Sequence, residues 1–216
     1  MVRCKKVTYC CDERLISIFE RSLPGLICKT RYVDARDDLL NGDYTAYIPG
    51  GDLLPLFRRR KEDFPKKPFL KADPKRVKDF DLYQGMTGLA WSGRHGKIDP
   101  MEFGIENPVS LQYNDNHPRV ETPYPKTKAE QLDLRNDLEG VLALISVLGK
   151  VISVPASPFH FSGALGVKTD VVIAPRASEQ DIDGVVDEID WHCPLDESPW
   201  YKNLTVYPDL EAWNRR

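Results

Sequence analysis

The chain has no long apolar run. Its first residues, "MVRCKKVTYCCDERLISIF", carry neither a signal-peptide pattern nor enough apolar length to cross a membrane, and the reading is a cytoplasmic protein. Cysteine is sparse: five residues, at 4, 10, 11, 28 and 193, none spaced CxxC. The odd count and the missing framework argue against a disulfide scaffold and for free thiols in a reducing compartment. His192-Cys193 and Cys10-Cys11 lack further ligands at metal spacing, so no metal site is expected. With 4 histidines, no Ser/His/Asp order can be argued. A net charge of -3 argues against a strongly basic nucleic-acid binder. There is no Walker A loop, no GxGxxG, no internal repeat and no low-complexity segment. Asn203-Leu204-Thr205 matches a glycosylation acceptor by pattern only, which has no meaning in a cytosolic chain.

What is present is ordinary for a globular α/β protein: 216 residues, 41% hydrophobic and 29% charged, enough for one large domain or two small ones. "KKVTYCC" predicts a strand. "DERLISIFERSLPG" predicts a helix with Leu15, Ile16, Phe19 and Leu23 on one side, capped by Asp12 and ended by Pro24-Gly25. "LICKTRYV" and "DYTAYI" predict two more strands, and "LLPLF" one helical turn. Residues 58–80, basic and broken by proline, read as a solvated connection. Beyond residue 85, "MTGLAWSG" and "NPVSLQY" predict strands, with "PRVET" an edge strand. "NDLEGVLALISVLGK" predicts a helix capped by Asn136 or Asp137 and closed by Gly149. The alternation of strand and helix implies a parallel sheet with helices on its faces.

The stretch "VISVPASPFHFSGALGVKTDVVIAP" reads as strand, helix, strand. In an open α/β sheet, ligands sit at the carboxyl ends of the strands. Here Ser157 can cap the helix and Pro158 fit its first position. The amides of Phe159 and His160 would then face outward with the positive end of the helix dipole behind them, a setting for phosphate. Gly163 would allow close packing and Gly166 a left-handed stop. Any strand–helix turn looks like this, and a lone histidine such as His160 is more often a structural hydrogen-bonding residue than a catalyst. A second strand end, "GLAWSGRHGK", brings Ser92, Gly93, Arg94 and Lys97, which suit phosphate or a solvated turn. A third, "VSLQYND", offers Leu111, Gln112 and Tyr113 to a nucleobase or to nothing more than the end of a strand. Asp79/Asp81 and Asp181/Asp183 have DxD spacing but follow no convincing buried strand, so they read as surface pairs.

Taken in order, "RSLPG", "PFLKADPKRV", "GLAWSG", "VSLQY", "DLEGVLALISVL", the Val151–Pro175 stretch and "SPWYKNLTVY" resemble the ADP-heptose:lipopolysaccharide heptosyltransferase-like group. The likeness is to the glycosyltransferase domains associated with tetratricopeptide repeats, and it spans residues 7 to 207. The resemblance implies a GT-B-like fold of two Rossmann-like lobes with a cleft. Residues 1–82 would be an acceptor-side lobe and 83–216 a lobe holding a nucleotide-sugar as substrate, with no cofactor and no metal. Carried over by position, Ser157, Phe159 and His160 would lie at the diphosphate. Gln112 and Tyr113 would lie near the base or ribose, Asp137 beside the nucleotide, and Ser92, Gly93 and Lys97 across from it. Pro155-Ala156 stands where that family has Asp-Thr. The family's first strand and "GLGD" loop have no counterpart here, so the N-terminal lobe is expected to be incomplete and covered by a second copy or a partner chain. The base of the family cannot be assigned by position, and Asp52 is the weak candidate. Two readings stay open. One is a metal-independent glycosyltransferase with an unknown glycan, lipid-linked or protein acceptor. The other is a catalytically degenerate nucleotide-sugar-binding or partner subunit. Neither involves nucleic acid.

Overall fold

A computed structural model describes residues 6–30, 44, 46–94, 96–127, 130–174 and 198–216. The chain divides into two compact units, residues 1–65 with 69–71, and residues 66–68 with 72–216.

In the first unit, β1 (Val7–Cys11) and β2 (Leu26–Thr30) pair in parallel, with Val7 opposite Leu26 and Cys11 opposite Thr30. The crossover between them is α1 (Ile16–Ser22), entered through a 3-10 turn at Glu13–Leu15. Asp12 caps that turn as the sequence predicts, accepting from the Arg14 amide at 3.0 Å. Gly25, at φ 90°, takes the left-handed turn into β2. Ile18 is fully buried beneath this unit. Residues 69–71 belong to it because Ser22 Oγ accepts from the Lys71 amide and Arg21 Nε donates to the Lys71 carbonyl, both at 2.9 Å. The predicted helical turn is α2 (Leu53–Phe57), preceded by a 3-10 turn at Gly50–Asp52.

Among the described residues of "DYTAYI", 44 and 46–48, the expected strand is not present. Tyr44 and residues 46–49 are irregular, while residues 43 and 45 lie outside the described residues. A strand needs a ladder partner. Among the described residues, β1 and β2 pair with each other alone.

In the second unit, the segment expected to be a solvated connection, residues 58–80, turns inward at its end: Phe80 is fully buried, while most of the segment is exposed or half-buried. Asp73 accepts from the Lys75 amide at 2.8 Å and Pro74 follows it, which starts α3 (Pro74–Val77). A 3-10 stretch at Lys78–Tyr83 then buries Phe80 and Tyr83. Lysine, arginine and proline dominate the composition of residues 58–80, and that hid the aromatic anchor Phe80. The expected boundary at 82/83 thus falls inside the chain stretch that packs with this unit.

The remaining strands are β3 (Thr87–Ala90), the short hairpin β4 (Ser92–Gly93) and β5 (Gly96–Lys97), β6 (Val109–Ser110), β7 (Lys150–Ser153), β8 (Thr169–Val172) and β9 (Leu204–Tyr207). Five of them form one sheet in the order β6-β3-β7-β8-β9, and every pair is parallel. "PRVET" contributes a single bridge, Val109 to Glu121. Side chains alternate across the strands. Ala90, Val109 and Val151 meet α4 (Leu138–Val147) on one face, together with Phe80 and Tyr83. Leu89, Trp91, Ile152, Val154 and Val172 meet Phe103 and Trp213 on the other. Trp213 belongs to the closing helix, Leu210–Asn214.

Asp137, not Asn136, caps α4, accepting from the Gly140 amide at 2.9 Å. The helix ends on Leu148 in extended backbone rather than on a left-handed Gly149. Gly149 is required for space instead. A Cβ there would sit 2.6 Å from the Gly85 carbonyl oxygen. Between β7 and β8 runs α5 (Ser157–Leu165), which ends at Gly166 with φ 84° as predicted. Among the described residues no helix is long and apolar enough to cross a membrane.

Candidate functional site

Counted within the second unit alone, the sheet order is 2-1-3-4-5. The chain leaves β3 toward one face, through the 3-10 turn at Pro100–Phe103, and leaves β7 toward the other, into α5. The order therefore reverses between β3 and β7. At such a switch point the two connections diverge and leave a crevice beyond the carboxyl ends of the strands, where ligands of open α/β sheets bind. Helix α4 ends just before β7 begins and so runs antiparallel to the strands. Its N-terminus, like that of α5, lies at this carboxyl edge.

The structure joins several of the expected residues here. Ser92 and Gly93 leave β3 and pair with Lys97 and Gly96 in the β4–β5 hairpin. Gly93 lies so close to the Pro155 carbonyl that a Cβ would collide with its oxygen. The hairpin therefore rests directly on the loop that begins α5. Gln112 is buried, and its Oε1 accepts the Ser92 amide at 3.0 Å while its Nε2 donates to Asn114 at 2.5 Å. Gln112 thus ties the end of β6 to the end of β3, so its side-chain amide is spent on the scaffold. Lys97 Nζ meets Asp115 Oδ2 at 2.5 Å, and the buried Trp91 indole donates to the same oxygen at 3.1 Å. These bonds, that from Lys97 first, hold the Asp115 carboxyl below its ordinary range.

Two expectations about α5 change. Its cap is Ala156, at φ -159° and ψ 166°, and no side chain bonds there; Ser157 is the first helical residue and does not cap. The Phe159 amide, expected to face an anion, donates to the Ala156 carbonyl at 3.2 Å. The helix starts one residue earlier than the Ser-Pro pair suggested, because proline is tolerated anywhere in the first turn, where its missing N–H costs nothing. Ser157 itself is exposed at the tip. Phe159 is buried, its ring centroid 3.9 Å from that of His160. His160 is half-buried, and its Nδ1 lies 3.3 Å from the Tyr201 hydroxyl.

The other expected residues fall further out. Tyr113 is 58% exposed, with the Arg135 guanidinium 6.0 Å from its ring centre. Asp137, besides capping α4, receives both nitrogens of the Arg76 fork, at 3.2 and 2.6 Å. Asp52 is exposed in the first unit, at the end of its 3-10 turn, and does not cap α2. Of the DxD pairs, Asp79 faces Arg76 at 3.6 Å and Asp81 faces Lys126 at 3.0 Å. Asp181, Asp183, His192 and Cys193 lie outside the described residues. Among the described residues, no group of three His, Cys, Asp or Glu is placed to hold a metal ion.

Sequence reasoning missed Arg76, Asp115 and Tyr201. Asp115 looked like one more polar residue in the turn "NDNHP". Tyr201 was visible as part of "SPWY", but nothing local ties it to His160, 41 residues away.

Fold and site together define a parallel α/β unit whose topological switch point lies between the ends of β3 and β7. No protein-family profile matches the chain, and no solved structure does. Protein FlbA of Caulobacter vibrioides is similar: 28% identical over 194 residues, covering 72% of this chain. The chain spans about a third of that protein's length, the aligned share being 32%.

Proposed function

We propose that the second unit binds a nucleotide-sugar at the β3–β7 crevice and that the chain is of the glycosyltransferase class, with two Rossmann-like lobes in the GT-B manner. The observation that supports this most is the seating of Gly93 against the Pro155 carbonyl, which brings the basic hairpin onto the loop that opens α5. A diphosphate there would meet the Ser157 end of the helix from one side and Lys97 from the other. Transfer would proceed by displacement at the anomeric carbon. The C–O bond to the diphosphate breaks, the acceptor oxygen takes its place, and the hydroxyl proton goes to a carboxylate. The electron pair leaves on the diphosphate, whose charge the helix end and the cation stabilise.

One feature favours the second reading, binding without transfer. Asp115 already holds Lys97, which weakens the cation available to a leaving diphosphate. Calorimetric titration with uridine, adenosine and guanosine diphosphates tests the common part. At least one should bind, and His160→Ala should weaken it about tenfold, the value of one charge-assisted bond. If none binds the intact protein, the proposal fails. Release of the nucleoside diphosphate from its sugar conjugate then separates transfer from binding.

A further inference from the structure

We propose that Asp115 selects the intact nucleotide-sugar over the free nucleoside diphosphate, a role that rests on the nucleotide-sugar reading above. The carboxylate is fixed in place. The Trp91 indole, itself fully buried, donates to its Oδ2 at 3.1 Å, and Lys97 Nζ lies 2.5 Å from the same oxygen. The loop that carries Asp115 is pinned where it leaves β6, because Gln112 accepts the Ser92 amide and donates to Asn114. The Lys97 bond first, then the Trp91 bond, with His117 adding to them, hold the carboxyl below its ordinary range, so it is charged at neutral pH. Arg94, the other described cation of the β4–β5 hairpin, is exposed at the turn. The next acid after the hairpin, Asp99, accepts the Met101 amide at 2.9 Å and starts the 3-10 turn.

This arrangement sets how close a bound phosphate comes to the acid. An oxygen held by Lys97 at a charge-assisted distance lies within about 5.5 Å of Asp115 Oδ2, because both bonds meet at Nζ. A diphosphate joined to a sugar carries two negative charges. Once the sugar is gone, its terminal phosphate loses a further proton above about pH 6, and the free diphosphate carries three. Lys97 and Asp115 cancel each other, so the third charge gains nothing from the pair and meets the acid at short range. At partly exposed positions one such interaction changes affinity by about fivefold. A lone lysine in the same place would favour the free diphosphate instead.

The test is calorimetric titration of the full chain at about pH 8, where the terminal phosphate is fully ionised. The ligands are uridine, adenosine and guanosine diphosphates, their methyl esters at the terminal phosphate, and their glucose conjugates. The methyl ester has the charge of the conjugate and lacks the sugar. The unmodified protein should bind the free diphosphate no more tightly than the methyl ester on the same base. Asp115→Asn should tighten the free diphosphate about fivefold more than either ester. Asp115→Glu, which keeps the charge, should retain the order of the unmodified protein. If Asp115→Asn fails to fold, Asp115→Ser is the second neutral variant, and the comparison within the unmodified protein needs neither. The proposal is overturned if the unmodified protein prefers the free diphosphate to its methyl ester, or if the neutral variant tightens all three ligands alike or none of them. Both results leave nucleotide binding itself standing. If no ligand binds either the unmodified protein or Asp115→Asn, the nucleotide-sugar reading falls and the role of Asp115 falls with it.

Discussion

Tyr201 is the residue on which the α5 site leans. Its ring covers Gly163, its hydroxyl reaches His160 Nδ1 at 3.3 Å, and its backbone amide is held by Ser198 Oγ at 3.1 Å. Burial pushes the phenol up from 10.0 to about 12. In the unfolded chain this phenol ionises near 10, whereas in the folded chain it stays protonated, so folded protein binds the proton more tightly. The stability it contributes is complete below pH 10 and is lost as pH rises toward 12. A rise of that size sets an upper limit of about 3 kcal/mol on the loss. Tyr201→Phe should flatten this part of the alkaline decline in denaturant melts; an unchanged decline would show that the phenol does not titrate differently on folding. At this scale the sequence was uneven. Asp12 was legible as a cap, and Asp137 as one of two candidates beside Asn136, because capping is local. The Lys97–Asp115 and His160–Tyr201 pairs were not, because both depend on how distant segments are brought together.

Among the elements, α5 shows which glycine roles can be read in advance. Gly166 ends the helix in the left-handed region, a requirement visible from its place after an apolar helical run. Gly163 was expected to serve close packing, and it does, but the neighbour is an aromatic ring from a remote segment. A Cβ there would lie 2.6 Å from Tyr201 Cγ, closer than real contacts allow. Gly163→Ala should gain up to about 1 kcal/mol in helix propensity and lose about 1–3 kcal/mol to overpacking, so the net effect is destabilising. It should also disturb His160 through the displaced ring. Thermal melts check the first effect, and the histidine ring resonances check the second; a variant as stable as the unmodified chain would mean the ring yields freely. The start of the same helix was misread by one residue. Ser-Pro is compatible with either register of the first turn, and only the Ala156 backbone decides between them.

For the whole chain, the parallel sheet was legible from the alternation of strands and helices, and the strand order was not, because pairing is a property of space rather than of sequence. The same limit produced the strand expected at "DYTAYI": a β-prone run forms a strand only where a ladder receives it. The units differ sharply in burial. Of the buried apolar residues among those described, Cys11, Ile18, Cys28 and Leu70 lie in the first unit, and all the others lie in the second. A two-stranded sheet is marginal by itself, whereas β3, β7 and β8 are paired on both sides and covered on both faces. Local opening should therefore cost much less in the first unit. In native-state hydrogen exchange, the amides of Leu89, Ile152 and Val171 should be the slowest, approaching exchange through global unfolding. Those of Tyr9 and Ile27 should exchange at least about a hundredfold faster, since ~3 kcal/mol less opening free energy corresponds to that factor. The ranking should hold at low denaturant, where sub-global openings are read directly. Equal protection across both sheets would mean that the first unit is stabilised by something other than its own buried core, and that the two units do not differ in stability as their burial requires.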